Sequence, residues 1–136
     1  MEPPPLMDPG SHQPVSVRCD PRGVLFEPVD ADVLIRQRNC HVVLTEPGAV
    51  RGNHWHRRAT EVSVVLGPAR VCIRRESGIE EIQVPDGQAW RFVFPPGVPH
   101  AMQNTGARPM VVIAFSDQVH DRQSPDVVSD ILIETP

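Results

Sequence analysis

The chain has 136 residues, a formal charge of −4 and a pI near 5.8, a size that suits one domain around a single core. The acidic balance lacks the basic footprint that nucleic acid or an anionic membrane surface selects, and no apolar run approaches the ~18 residues of a membrane span. All 13 basic residues are Arg and Tyr is absent, which excludes a Schiff-base lysine and a phenolic acid. Proton transfer is left to His, Asp, Glu, Cys or a metal-bound water.

The opening MEPPPLMDPGSHQP has neither the basic nor the apolar region of a secretory leader. Its prolines predict a flexible arm over 1–16, with one domain over 17–136 and a cytoplasmic setting. Cys19, Cys40 and Cys72 are odd in number and far apart, with no Cys-x-x-Cys. They read as reduced, mostly buried small apolar residues.

The chain then runs through short Val/Ile/Phe-rich segments: GVLFEPV, DVLIRQ, CHVVLTE, VRGNHWH, TEVSVVL, ARVCIRR, IEEIQV, AWRFVF, HAMQN, MVVIAFS and DILIE. Gly, Pro, Asp and Asn interrupt them roughly every 8–12 residues, the spacing of a sandwich or barrel. In ARVCIRR, Ala69, Val71 and Ile73 alternate with Arg70, Cys72 and Arg74, predicting one buried face. Turns are marked at Glu76-Ser-Gly78, Pro85-Asp-Gly87 and Pro95-Pro-Gly97. No long segment carries a helical period, and 16 prolines leave little room for one. The expected class is all-β.

Within GAVRGNHWHRRATE, His54 and His56 stand two apart, which on a strand turns both imidazoles to one face, about 7 Å apart along the chain. Strict alternation places Val50 and Gly52 with them and Arg51, Asn53 and Trp55 opposite. Gly52 leaves room for a ligand or a neighbouring strand. Glu61 opens the next strand, and His100 follows the rigid turn of PPGVPHAMQN. Three imidazoles and a carboxylate suit zinc, iron, manganese or nickel, and spacing alone does not choose among them.

These two stretches resemble the signature motifs of the cupin superfamily: Gly48, five residues, His54-x-His56, four residues, Glu61; then Pro95-x-Gly97-x-x-His100-x-x-x-Asn104. The likeness covers residues 40–116. It implies a double-stranded β-helix, the cupin jelly-roll barrel, with one divalent metal ion held by His54, His56, Glu61 and His100, zinc being the first choice. Two turn positions depart from the pattern: Gly67 falls one residue early, with Pro68 in its usual place, and Ala89 stands where a Gly is common.

A narrower likeness lies in RGNHWH, the upstream DPRGVLFE (Asp20, Arg22, Gly23, Glu27) and the downstream FSDQVHDRQSPDV. Together they resemble cupins that act on nucleotide sugars. These include the zinc-containing cupin half of capsular-polysaccharide reductases, which epimerises a UDP-4-ketohexose at C3, the sugar-nucleotide 3,4-ketoisomerases and the dTDP-4-dehydrorhamnose 3,5-epimerases. In metal-free relatives the histidine matching His54 is an acid–base catalyst; Glu61 and His100 favour the metal here. The resemblance implies an isomerase, either epimerase or ketoisomerase, that works through a metal-stabilised enediolate on a nucleotide-linked 4-keto sugar. A C4 ketone acidifies C3–H, and where the proton returns separates the two outcomes.

His41, Glu46 and Glu27 are the candidate bases. Arg22 and Arg51 are candidate diphosphate contacts, since guanidinium matches phosphate geometry, and Trp55 is a candidate stacking surface. The rival readings are an iron-dependent dioxygenase on the same ligands, a cyclase or isomerase for a non-sugar metabolite, and a non-catalytic small-ligand-binding cupin. A homodimer is expected, with GVLFEPV and DVLIRQ pairing across a two-fold axis.

Overall fold

Alternation along the strands sets the architecture. In a computed structural model, which describes residues 11–136, Ala69, Val71 and Ile73 are buried against the facing sheet as their period of two requires. The elements in chain order are β1 (His12–Val15), β2 (Arg18–Asp20), β3 (Gly23–Leu25), α1 (Ala31–Leu34), β4 (Asn39–Thr45), β5 (Val50–His56), β6 (Glu61–Leu66), β7 (Ala69–Arg75), β8 (Gly78–Val84), β9 (Ala89–Phe94), β10 (His100–Asn104), β11 (Met110–Ser116) and β12 (Val127–Ser129).

The strands form two five-stranded sheets, β1-β9-β6-β11-β4 and β12-β5-β10-β7-β8, and a separate β2-β3 hairpin, with every pair antiparallel. From β4 to β12 consecutive strands alternate between the sheets except at the β7–β8 hairpin, as in a jelly roll. Val65, Val71, Ile73, Phe92, Phe94 and Val112 fill the space between them. The three marked turns carry Gly78, Gly87 and Gly97 at positive φ, where glycine is the unstrained residue.

Four expectations change. The arm drawn over 1–16 includes a strand: β1 pairs with β9, and its Pro14 is tolerated because β1 is a sheet edge. His12 fixes β1 by contacting Glu80 across 3.1 Å and packing beside Trp90 and Phe92. The first ten residues of the expected arm lie outside the described residues. DVLIRQ forms no strand, because Asp30 caps α1 by accepting the Val33 N–H at 3.2 Å. DILIE is likewise not a strand; its Ile133 packs on Cys72 and Ala101 on the outer face of the second sheet. Finally, Cys19 and Cys40 are exposed, since their short or edge strands have one uncovered face, whereas Cys72 is buried beneath Ile133.

A β-bulge sets the register of the functional strand. His54 pairs with His100, yet Ala101 pairs with Gly52, so Asn53 is an extra residue on β5. Both bulge residues have positive φ, 87° for Gly52 and 57° for Asn53. The bulge breaks the simple alternation. Arg51 pairs with the inward-facing Met102 and lies on the interior side with His54, whereas Val50 joins the outer cluster with Ile133. Asn53 turns outward, donating to the Ile133 carbonyl and accepting from the Leu132 and Ile133 N–H groups. The space at Gly52 goes to a neighbouring strand, because a Cβ there would lie 2.8 Å from the His100 carbonyl oxygen. Gly52→Ala is therefore expected to lower unfolding free energy in denaturant by about 1–3 kcal/mol, with a larger loss than Gly48→Ala, where a Cβ meets nothing within 4 Å.

Candidate metal centre

The two sheets bring four side chains together. His54 and His56 come from β5 and His100 from its neighbour β10, while Glu61, the first residue of β6, crosses from the facing sheet. One ligand atom from each residue lies within 4.8 Å of all the others. Ring centroids are 4.9 Å apart for His54–His56, 5.0 Å for His54–His100 and 5.8 Å for His56–His100.

Neighbouring groups fix how each ring presents itself. The His100 Nδ1–H donates to the Val98 carbonyl at 2.9 Å, so Nε2 is the nitrogen turned to Glu61 Oε2, also at 2.9 Å. Phe94 stacks face to face on His100, with centroids 3.8 Å apart and planes 3° from parallel. His56 Nε2 lies 3.8 Å from the same carboxylate oxygen, is buried, and has no hydrogen-bond partner. Burial and the nearby His100 imidazole push His54 down to about 4, against the opposing pull of Glu61, so its lone pair is available near neutral pH. For His56, burial disfavours the charged ring, but Glu61 and then Asp126 outweigh it and raise the pKa. Burial would also raise Glu61; the His100 and then the His56 imidazole beside it reverse this and hold the carboxyl well below its ordinary range.

The donor set fits a divalent cation. With Nδ1 committed to the Val98 carbonyl, His100 points Nε2 at a Glu61 carboxylate oxygen, and His56 Nε2 is an orphan in the same space. A shared cation satisfies both. Asn104, the last residue of the second motif, is no ligand: it donates to the Thr45 and Arg108 carbonyls and accepts the Gly106 N–H, tying β10 to β4 and to the following turn.

Two cavities meet at this cluster. One, about 150 Å³, runs between the sheets past Val43, Met102, Val112 and Ala114 to Arg51. The other, about 270 Å³, is more polar and includes Asn39, Arg58, Ser116, His120 and Asp126. His41, His54 and Glu61 line both. All three candidate bases are exposed, and of them only His41 lines the cavities at the cluster; Glu27 and Glu46 line neither. Arg51 bonds to the Leu44 carbonyl and Thr45 Oγ1. Arg22 lies on the β2–β3 hairpin, its side chain 91% exposed and paired with Asp20, away from both cavities. Trp55 faces outward opposite Val128 and lines neither.

Sequence reasoning gave no role to Phe94, Asn53 or Asp126. Asp126 accepts the N–H groups of Arg58 and Ala59, both at 2.9 Å, and stands 3.7 Å from His56 Nδ1. Ser-Pro-Asp, which ends in Asp126, was visible in the sequence, but the contact spans about seventy positions and has no local signal.

The polysaccharide biosynthesis C-terminal domain model matches residues 18–128. The chain is 35% identical over 92 residues to oxalate decarboxylase OxdC of Bacillus subtilis, covering 67% of this chain and 23% of that protein. It is 32% identical over 116 residues to a UDP-2-acetamido-2,6-beta-L-arabino-hexul-4-ose reductase of Pseudomonas aeruginosa, covering 82% and 30% respectively. It therefore spans under a third of the length of either relative. Among solved structures it is similar to the capsular polysaccharide assembling protein CapF of Staphylococcus aureus, with TM-score 0.62 and 25% identity over 87% of this chain and 33% of that one. It also shares its fold with QdtA, a sugar 3,4-ketoisomerase of Thermoanaerobacterium thermosaccharolyticum solved with TDP, at TM-score 0.65 and 15% identity, covering 87% and 85%. With a family model that spans most of the jelly roll and its histidine–glutamate cluster, the chain belongs to the polysaccharide biosynthesis C-terminal domain family, within the cupins.

Proposed function

We propose that this chain isomerises a nucleotide-linked 4-keto sugar, by C3 epimerisation or 3,4-ketoisomerisation, at a cation site made by His54, His56, Glu61 and His100. The carrying observation is that His41 and His54 line both an apolar and a more polar cavity around that cluster, in a fold shared with a protein named as a sugar 3,4-ketoisomerase. When bound, a divalent cation supplies Lewis acidity toward the ketone oxygen, worth several kcal/mol for developing negative charge. Three imidazole nitrogens and one carboxylate favour zinc, with iron, manganese or nickel as alternatives.

The chain's own residues do the rest. His41 is the group that takes or returns the sugar proton, since it alone of the three candidate bases reaches the shared space. Arg51 meets a phosphate with the N–H groups left over from its two bonds within the chain. The apolar walls formed by Val43, Met102, Val112 and Ala114 exclude water from the reacting carbons.

Incubation with UDP- and dTDP-4-ketohexoses in D₂O, followed by NMR, tests this reading. Deuterium should enter at C3 and entry should stop on chelation. His41→Asn should slow exchange by about 10²–10⁴-fold without loss of bound metal. Absence of exchange with every such sugar contradicts the proposal. The 35% identity to an oxalate decarboxylase favours a second reading, a small-carboxylate substrate; carbon dioxide release from oxalate would mark it.

A homodimer belongs to the same proposal. The β2–β3 hairpin pairs with neither large sheet and exposes Val24 and Leu25, and the edge strand β4 exposes Val42 and Leu44 at 64% and 62%. With DVLIRQ in α1, the hairpin and β4 replace the strand pairing expected from sequence. In a dimer, the hairpin can carry Arg22 toward a second copy's site. Light scattering at micromolar protein should give twice the chain mass, and Leu25→Arg should halve it; a monomer mass for the unmodified protein removes this part.

A further inference from the structure

Resting on the metal reading above, we infer that Asp126 is a positioning residue for the centre: its carboxylate, facing His56 Nδ1 at 3.7 Å, favours the ring proton on that nitrogen and so leaves Nε2 to Glu61 and the cation. Two ring nitrogens leave two ways to bind, and the second partner of a ligating imidazole decides between them. Here the two nitrogens differ in surroundings. Nδ1 stands 3.7 Å from Asp126 Oδ2, while Nε2 is buried, lacks a hydrogen bond and lies 3.8 Å from Glu61.

Asp126 is itself held in place from several directions. Oδ1 accepts the Arg58 N–H at 2.9 Å and faces Arg58 Nε at 3.5 Å, and Oδ2 accepts the Ala59 N–H at 2.9 Å. The Arg57 N–H donates to the Asp126 carbonyl at 2.9 Å. The carboxylate therefore fixes the connection between His56 and Glu61 and faces the His56 ring from one spot. A second set of anchors pins the same tail farther on. Arg74 donates to both Asp130 oxygens at 2.9 Å, and the Asp130 N–H bonds to the Asn53 carbonyl at 2.8 Å. Loosening the tail at Asp130 can thus be separated from removing the charge beside His56.

The test uses the full chain and zinc. Competition against a chromophoric chelator should show zinc binding to Asp126→Asn weakened about tenfold to a hundredfold, with Asp130→Asn unchanged. Equal weakening in both variants, or full affinity in Asp126→Asn, overturns the proposal. Wild-type protein with ¹⁵N-labelled histidine supplies a readout that needs no variant of Asp126. In mildly alkaline buffer His56 should carry its proton on Nδ1, both metal-free and zinc-loaded, and a proton on Nε2 overturns the assignment. Wild-type protein that takes up no zinc ends the metal reading instead, and the metal-free spectrum still decides the role of Asp126.

Discussion

A buried carboxylate among three imidazoles is the constraint on which the rest depends. Glu61 is 9% exposed and His100 1%, and a charge so placed is tolerated only when it is paired and hydrogen-bonded. The pairing joins the two sheets at one point, because Glu61 begins a strand of one sheet and the histidines lie on adjacent strands of the other. The surroundings hold that point rigid. Phe94 backs the His100 ring, the Val98 carbonyl fixes its Nδ1, and Asp126 flanks His56 from the opposite side.

The bulge at Gly52-Asn53 makes this compatible with an ordinary antiparallel ladder. An unbroken β5 would place Arg51 on the face away from His54. The added residue returns it to the interior side, and the positive φ of both bulge residues explains why a glycine and an asparagine occupy these positions. Asn53 also links the site strand to the tail through three hydrogen bonds, so the outer cover of the second sheet and the geometry of the inner face depend on the same two residues.

Much of this was legible in the sequence because it is local. Period-two patterning gave β5 through β11 almost residue for residue, and ligand spacing gave the four members of the cluster. The misreadings have physical causes. Alternation assumes an unbroken pleat, so Arg51 and Val50 were placed on the wrong faces. DVLIRQ is apolar enough for a strand, yet the Asp30 cap favours a helical turn. DILIE patterns as a strand but bonds to the Asn53 side chain and backbone instead of a sheet edge. Phe94 and Asp126 meet the histidines only through tertiary packing, to which short-range spacing is blind.

The central claim is that four side chains from facing sheets converge on one divalent cation. X-ray absorption at the zinc edge of the loaded, dialysed protein tests it directly. One ion per chain, with a first shell of three imidazole nitrogens and one carboxylate oxygen, is the predicted result. A zinc-free protein after dialysis, or a shell of sulfur or of water alone, would contradict it.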